Sequence, residues 1–181
     1  MKVGSSTLPE VLVLEPQVFA DARGFFLESW NRRVFRDTTG LECAFVQDNH
    51  SHSVRNVLRG IHYQLQKPQG KLVRVVSGSV WDVAVDLRRS SPNFGKWTAV
   101  ELSAENKKQL WIPPGFGHAF FVLSESADVL YKATEYWIGE YDRSVRWDDP
   151  QIGIAWPLAT TPVLAAKDAD APFLAQAQLY E

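Results

Sequence analysis

The sequence predicts an all-β protein, a jelly-roll barrel with a few short helices and a C-terminal tail. Turn-forming residues recur about every eight to twelve positions, and the runs between them are rich in β-branched and aromatic side chains. Short strands at this spacing are typical of a β-sandwich or barrel, whose mouth commonly holds a ligand. The length of 181 residues favours a single domain that covers residues 1–181.

The elements follow one another along the chain. The segments "EPQVF" and "GFFLESW" flank the turn "ADARG", and "NRRVFRDTTG" predicts one short helix that stops at Gly40. "LSAENKKQ" predicts a tight helical turn between two strands. The Ala- and Pro-rich chain after Trp156 predicts a short helical tail packed over the barrel. Eight further runs predict strands, at 43–49, 55–65, 70–76, 79–87, 97–102, 109–112, 118–124 and 128–136.

Composition argues against several classes of function. The net charge of −2 does not suit a general nucleic-acid or membrane surface. The single Cys43 rules out an internal disulfide and fits a reducing compartment. The start "MKVGSSTLPEVLVLEP" has no long apolar run, so we expect no signal peptide, no transmembrane span and a cytoplasmic location.

Ionisable residues interrupt the strand-forming stretch 56–87, where each buried charge needs a partner. Side chains alternate faces along a strand, so His62 and Gln64 share one face and Arg59 should lie on the other. A bulge at Gly60 could shift this alternation by one residue and bring Arg59 to the face of His62.

Lys71 shares its face with Val73 and Val75, so an inward Lys71 would lie among core residues. A lone His is commonly a satisfied core or surface group, and a lone Lys on an edge strand commonly protects against aggregation. Together, Arg59, His62 and Lys71 could instead hold an anion beside a base. The residues themselves therefore predict a β-barrel with a polar pocket and leave the function of that pocket open.

Histidine spacing raises the question of a metal. His50 and His52 point the same way from one strand and form a possible chelating pair. Metal-binding barrels of the cupin type show His-x-His, a nearby Glu and a distant His. Here Gln64 follows His62 at that spacing, and no Glu follows His52 within a few residues. We therefore expect no metal.

Other candidates are ambiguous on residue type alone. Tyr131 is either a buried acid or a core aromatic, and the surroundings of Asp168 suggest a solvated turn or a helix cap. Arg23 would ordinarily be a turn residue, and Phe26 and Trp137 would ordinarily belong to the core.

A series of long motifs nevertheless identifies a family. In order, the chain contains "DARGFFLESW", "FVQDNHSHS", "NVLRGIHYQ", "QGKLVRVVSGSVWDVAVDLRRSSPNFGKW", "LSAENKKQLWIPPGFGHAF", "VLYKATEYW" and "RWDDPQIGIAWP". Over about residues 10–170 it resembles the dTDP-4-dehydrorhamnose 3,5-epimerase family, the cupin-type sugar-nucleotide epimerases. The resemblance implies a cupin-like jelly roll that epimerises a dTDP-linked 4-keto-6-deoxy-hexose without a cofactor.

The resemblance also implies catalytic roles. His62 would remove a proton from a carbon beside the ketone, and Asp168 would hold the other imidazole nitrogen. Tyr131 would return a proton on the opposite face, and Lys71 would stabilise the enolate oxygen.

Nucleotide contacts are implied at further positions. Arg23 and Arg59 match pyrophosphate-binding positions, and Phe26 and Trp137 would sandwich the thymine. The remaining substrate-binding positions are Glu28, Gln47, Asn49, His118, Asp142 and Lys167. In the family the N-terminal strands cross to the neighbouring subunit. The resemblance therefore implies a homodimer in which Arg23, Phe26 and Glu28 serve the neighbour's site.

Three positions depart from the usual family pattern: Trp137 stands where Tyr is common, Ala119 where Gly is usual, and Asp142 where Glu is typical. Three alternative functions also stay open. One is a relative that epimerises only C3 with the same residues. The others are a metal-dependent cupin oxygenase or isomerase and a non-catalytic module that binds sugar nucleotides.

Overall fold

Thirteen β-strands and two α-helices are described by a computed structural model of residues 1–181. The strands are β1 Lys2–Ser5, β2 Leu12–Glu15, β3 Val18–Asp21, β4 Gly24–Leu27, β5 Gln47–Val54, β6 Leu58–Gln64, β7 Lys71–Ser77, β8 Ser79–Asp86, β9 Trp97–Ser103, β10 Gln109–Ile112, β11 Phe116–Val122, β12 Ser126–Ala133 and β13 Asp142–Ser144. The α-helices are α1 Arg32–Thr39 and α2 Ala166–Ala169, and a 3-10 helix covers Gly139–Tyr141.

The strands form two large antiparallel sheets and a separate hairpin. The six-stranded sheet has the order β1-β2-β10-β7-β12-β5, and the five-stranded sheet has the order β13-β6-β11-β8-β9. Strands β3 and β4 pair only with each other. The all-β class is confirmed by this architecture.

Three apolar clusters hold the layers together. The largest lies between the two sheets and includes Val73 and Val129 from one sheet and Val80 and Phe120 from the other. A second cluster covers the outer face of the five-stranded sheet, and a third joins α1 to the outer face of the six-stranded sheet. Strand β8 is therefore buried on both faces, which explains why its sequence is almost continuously apolar.

Strand β6 contains the bulge that the sequence suggested at Gly60. His118 pairs with His62 and Phe120 pairs with Arg59, so three steps along β6 match two along β11. The extra residue puts Arg59 on the same side of the sheet as His62, and both side chains line one cavity. Without the bulge, strict alternation would point Arg59 to the opposite face.

Helix α1 has the ends that its sequence predicts. The Asn31 side chain accepts a hydrogen bond from the Val34 N–H at 3.1 Å, which caps the first turn. Gly40 ends the helix with a φ of +75°, and its N–H donates to the Arg36 carbonyl. Only Phe35 of this helix is buried, because α1 lies on the outer face of the six-stranded sheet with one apolar side.

The predicted strand boundaries were right in the middle of the chain and wrong at several ends. Run 43–49 was wrong over its first half, because Cys43 and Phe45 pack with α1 instead of pairing in the sheet. The run 55–65 begins as a turn, with Asn56 at a φ of +64°. The predicted tight turn in "LSAENKKQ" is present as one helical turn, in which the Lys107 N–H donates to the Ser103 carbonyl.

The helical tail was only partly right. Beyond Trp156 the only helix is the four-residue α2, and the rest of the tail is irregular. The tail nevertheless packs over the barrel as expected, since Leu174, Ala177 and Leu179 bury against the five-stranded sheet. No helix of the chain combines the length and the apolar character needed to cross a membrane.

Replacing Gly60 with Ala should lower the free energy of unfolding by about 2–4 kcal/mol. Gly60 has a φ of +119°, and an added Cβ would lie 2.5 Å from the Ala119 Cβ and 2.6 Å from the His118 carbonyl oxygen. Gly40→Ala is the control, because it has a positive φ but nothing within 4 Å of the added atom. It should cost about 1 kcal/mol. Urea unfolding measures both, and equal losses would contradict the steric argument.

Candidate active site

A cavity of about 470 Å³ opens between the two sheets and the C-terminal tail. It is bounded by strands of both sheets and by the segment 163–168. The family resemblance assigned fourteen residues to catalysis or substrate binding. Nine of them line the cavity, namely Arg59, His62, Lys71, His118, Tyr131, Trp137, Asp142, Lys167 and Asp168. The fold therefore brings together residues that lie far apart in sequence.

His62 and Asp168 form a close pair in this cavity. His62 Nε2 lies 2.5 Å from Asp168 Oδ1, across a separation of 106 residues. Asp168 is only 1% exposed, and its Oδ2 accepts a hydrogen bond from the Gly60 N–H at 3.3 Å. The solvated turn that composition suggested for Asp168 was therefore wrong, because α2 docks on β6 and buries the carboxylate.

Burial and pairing set the charge state of this dyad. Burial lowers the pKa of His62, and the hydrogen bond and charge of Asp168 only partly offset that effect. Burial is the largest influence and raises the pKa of Asp168, but the hydrogen bond and charge of His62, the Gly60 N–H and the charge of Lys167 together leave that pKa below its ordinary value. At neutral pH the dyad is therefore a neutral imidazole beside a carboxylate. Its Nδ1 is the nitrogen left free to accept a proton.

Lys71 places an amine in the same cavity from the start of β7. Burial lowers the pKa of Lys71 to about 8, against the opposing influence of Asp142 and then of Asp82. The amine is therefore mostly protonated at neutral pH but easily loses its charge above pH 8. Its Nζ lies 5.7 Å from the centre of the Tyr131 ring. A cation with so little solvation interacts strongly with any negative charge that develops nearby.

Tyr131 faces the dyad from the opposite wall. It lies on β12 in the six-stranded sheet, whereas His62 lies on β6 in the five-stranded sheet. Burial, and secondly Asp142, raise the pKa of Tyr131, so its phenol stays protonated at neutral pH. The cavity thus has a proton acceptor on one wall and a proton donor on the other.

His118 has a carboxylate partner that the sequence reasoning did not assign. His118 Nε2 lies 3.0 Å from both side-chain oxygens of Asp82, which is completely buried on the neighbouring strand β8. The alternation of side chains along β8 could have indicated that Asp82 points inward, since Asp82 shares its strand face with the inward Val80 and Ala84. An inward carboxylate in a core strand requires a partner. His118, which lines the cavity, therefore belongs to a second histidine–aspartate pair whose carboxylate lies behind the cavity wall.

The mouth of the cavity carries positive charge. The Arg59 Nε donates to Ser53 Oγ at 3.0 Å and its Nη2 donates to the His52 carbonyl at 3.2 Å, which leaves Nη1 free. Lys167 Nζ lies 3.2 Å from Asp142 Oδ2, and this ion pair joins the tail to β13. The groups Arg59, Lys71 and Lys167 outnumber the lining carboxylates of Asp142 and Asp168. An anionic ligand suits this balance.

Gln47, Asn49 and Trp137 lie together beside the mouth. Gln47 Nε2 donates to Asn49 Oδ1 at 2.9 Å, and Gln47 Oε1 accepts the Trp137 N–H at 2.9 Å. Trp137 is 58% exposed, so the ordinary interpretation of this residue as a core aromatic does not hold. An exposed indole at a cavity mouth can stack on a flat ligand group.

Arg23, Phe26 and Glu28 are not brought to this cavity within one chain. Arg23 pairs with Asp21 at 2.6 Å and is almost fully exposed. Phe26 is 69% exposed, so the ordinary interpretation of this residue as a core aromatic does not hold; it lies on the β3–β4 hairpin, which pairs with neither large sheet. Glu28 accepts a hydrogen bond from Asn31. These three residues remain candidates only for a site on another subunit.

The possible chelating pair lies outside the cavity. His50 and His52 are on the outer face of β5, and both contact Asp128, at 2.9 Å and 3.2 Å. No group of three or more His, Cys, Asp or Glu side chains in residues 1–181 is arranged to hold a metal ion.

Comparisons with known proteins agree with one another. The family model described as dTDP-4-dehydrorhamnose 3,5-epimerase matches residues 5–176. The dTDP-4-dehydrorhamnose 3,5-epimerase of Salmonella typhimurium is 56% identical over 182 residues, 100% of both chains. That of Pseudomonas aeruginosa is 53% identical over 180 residues, 99% of both chains. The crystal structure of a dTDP-6-deoxy-D-glucose-3,5-epimerase from Legionella pneumophila in complex with dTDP-4-keto-L-rhamnose gives a TM-score of 0.95 at 47% identity, covering 97% of this chain and 93% of that chain.

Replacing Asp142 with Asn should lower the pKa of Lys71 further below 8, because Asp142 supplies the largest charge that opposes the effect of burial. Titration of the Lys71 amine by NMR, assigned with a Lys71→Met sample, measures the shift. Glu140→Gln is the control, since this exposed carboxylate on the neighbouring 3-10 helix does not act on Lys71. A wild-type midpoint near the ordinary lysine value of about 10.4 would contradict the burial argument.

Proposed function

This chain belongs to the dTDP-4-dehydrorhamnose 3,5-epimerase family, and we propose that its cavity is the site where the family's reaction takes place. The protein is an isomerase that converts dTDP-4-dehydro-6-deoxy-D-glucose into dTDP-4-dehydro-L-rhamnose by inverting C3 and C5. The observation that carries this assignment is the neutral His62–Asp168 pair on one wall, facing Lys71 and Tyr131 on the other.

Proton removal is the first chemical step. The carbons on either side of the C4 ketone are weak acids, because the resulting carbanion delocalises onto the ketone oxygen as an enolate. His62 takes this proton on its free Nδ1 and becomes an imidazolium. Asp168 fixes the ring through Nε2 and stabilises the positive charge that forms. The same imidazole serves C3 and C5 in turn, since both carbons flank the one ketone.

Lys71 stabilises the enolate. The negative charge that leaves the C–H bond accumulates on the C4 oxygen, where a buried ammonium gains most. Contacts of this type contribute roughly 3–4 kcal/mol to transition-state stabilisation in other enzymes. Because the pKa of Lys71 is lowered to about 8 by burial, this contribution should fade as the pH rises above that value.

Tyr131 completes the inversion. Its phenol returns a proton to the carbon from the six-stranded sheet, on the face opposite to His62. Removal from one face and return to the other inverts the carbon. The base gains a proton and the phenol loses one, so proton exchange with solvent restores both groups before the second carbon reacts.

The nucleotide portion fits the mouth of the cavity. The free part of the Arg59 guanidinium suits a pyrophosphate oxygen, and the exposed Trp137 ring suits the face of thymine. Gln47, Asn49, His118, Asp142 and Lys167 are the further substrate contacts in this assignment. The shorter side chain of Asp142 still reaches Lys167 within the mouth.

A homodimer with exchanged N-terminal strands would complete the site. The β3–β4 hairpin exposes Phe19, Phe25 and Phe26 and pairs with no other strand of its own chain. Strand β5 forms an open edge of the six-stranded sheet, close to the cavity. An exposed apolar hairpin and an open edge are suited to pairing with a second copy. Such pairing would supply Arg23, Phe26 and Glu28 to the neighbour's cavity.

The alternatives receive less support. Relatives that share more than half of their residues with this chain are named 3,5-epimerases, which favours double inversion over reaction at C3 alone. A binding module without activity would not need a buried base, a lowered lysine pKa and a phenol in one cavity. For location, the single Cys43 and a nucleotide-sugar substrate support the cytoplasm.

His62→Ala and Tyr131→Phe should each lower turnover by at least about 100-fold, because each variant removes one proton-transfer group. The affinity for dTDP should change less than about threefold, since neither group is assigned to the nucleotide. A reductase-coupled assay measures turnover and calorimetry measures dTDP binding. His50→Ala is the control, an exposed histidine outside the cavity. Wild-type turnover in either variant would overturn its assigned role.

Mixed dimers test whether Arg23 serves the neighbouring subunit. Arg23→Gln and His62→Ala chains with different affinity tags are co-expressed and purified as heterodimers. Each heterodimer then has one site with an intact His62 and an intact Arg23 donated by the other chain. We therefore expect about half of the wild-type activity, although each parent homodimer is nearly inactive. No recovery would mean that Arg23 serves its own chain or no site.

A further inference from the structure

Gln64, near the end of β6, uses its whole side-chain amide to hold backbone. Its Nε2 donates to the Lys67 carbonyl at 2.7 Å and to the Tyr136 carbonyl at 3.1 Å. Its Oε1 accepts the Ile138 N–H at 2.7 Å. The residue is only 2% exposed, so these bonds are made away from competing water.

The backbone that Gln64 holds is the loop that carries Trp137. Gln64 bonds Tyr136 and Ile138, the residues on either side of Trp137, and Gln47 accepts the Trp137 N–H itself. More than half of the Trp137 side chain is exposed, so packing alone does not fix the ring. The position of the indole therefore depends on these backbone hydrogen bonds.

Gln64 occupies the position in which metal-binding cupins carry a ligand, but its amide is fully committed. The carbonyl oxygen and the amide nitrogen both already bond to backbone at short distances. Neither atom is available to a ligand in the cavity, and Gln64 is not among the residues that line the cavity. Its role has to be exerted through the loop.

We propose that Gln64 is a positioning residue for nucleotide binding, which holds Trp137 where its ring stacks on the base of a nucleoside diphosphate sugar. This inference rests on the assigned sugar-nucleotide substrate and on the mouth of the cavity as the base site. Gln64 thereby links the catalytic strand to base recognition, since His62 lies two residues earlier on β6. Strand β6 therefore carries both the catalytic histidine and the residue that holds the loop of the base site.

A double-mutant cycle on dTDP affinity separates this role from a merely structural one. Gln64→Leu should weaken dTDP binding by about tenfold in calorimetry and raise KM by a similar factor, while kcat stays within about twofold. In a Trp137→Ala background the same change should weaken binding less than about twofold, because the ring that Gln64 positions is gone. Equal weakening in both backgrounds, or a lower kcat with unchanged dTDP affinity, would overturn the inference.

Two further variants serve as a control and as a replacement for Gln64→Leu. Gln66→Leu is the matched control, because Gln66 lies on the same segment, is exposed and makes no side-chain hydrogen bond; it should leave dTDP affinity unchanged. Gln64→Met serves if Gln64→Leu does not fold, since Met has nearly the length of Gln and makes none of its hydrogen bonds to the loop. It should follow the same cycle, and additive behaviour would overturn the inference. A wild-type protein that binds no dTDP would instead overturn the assigned substrate.

Discussion

The contact between His62 Nε2 and Asp168 Oδ1 is the constraint on which the site depends. It requires the bulge at Gly60 to set the phase of β6, and it requires the C-terminal tail to dock on the five-stranded sheet. The apolar residues of the tail provide the burial that holds Asp168 in place, and the Gly60 N–H adds a hydrogen bond to the carboxylate. Barrel and tail therefore form one functional unit, although the tail has little regular structure.

The ionisable groups of the cavity differ in how they are compensated. Burying a charge costs several kcal/mol unless a partner offsets it. His62 and His118 each have a carboxylate within hydrogen-bonding distance. Lys71 has no ion-pair partner within 4.0 Å, and burial accordingly lowers its pKa to about 8. An incompletely compensated cation is suited to a reaction in which negative charge appears only transiently, because an enolate then supplies the missing partner.

Local signals in the sequence predicted much of the fold. Asn31 and Gly40 delimited α1, the turn spacing predicted most strands, and Gly60 marked the bulge that brings Arg59 beside His62.

Signals that depend on tertiary packing were missed. Composition could not show that Asp168 is buried, because its partner lies 106 residues away. Residue type alone offered only the ordinary core interpretation for Phe26 and Trp137, although both rings are exposed, one on a hairpin that pairs with no other strand and one on the loop that Gln64 holds. The roles of individual site residues came from the family resemblance and not from periodicity.

Proton exchange at the sugar carbons tests the central claim most directly. The protein is incubated with dTDP-4-keto-6-deoxyglucose in D2O, and deuterium at C3 and C5 is followed by NMR. We expect deuterium at both carbons, since a base and an acid on opposing walls exchange each proton with solvent during inversion. Deuterium at C3 alone would contradict double epimerisation. A substrate that binds and gains deuterium at neither carbon would contradict the assignment of His62 as the base of the cavity.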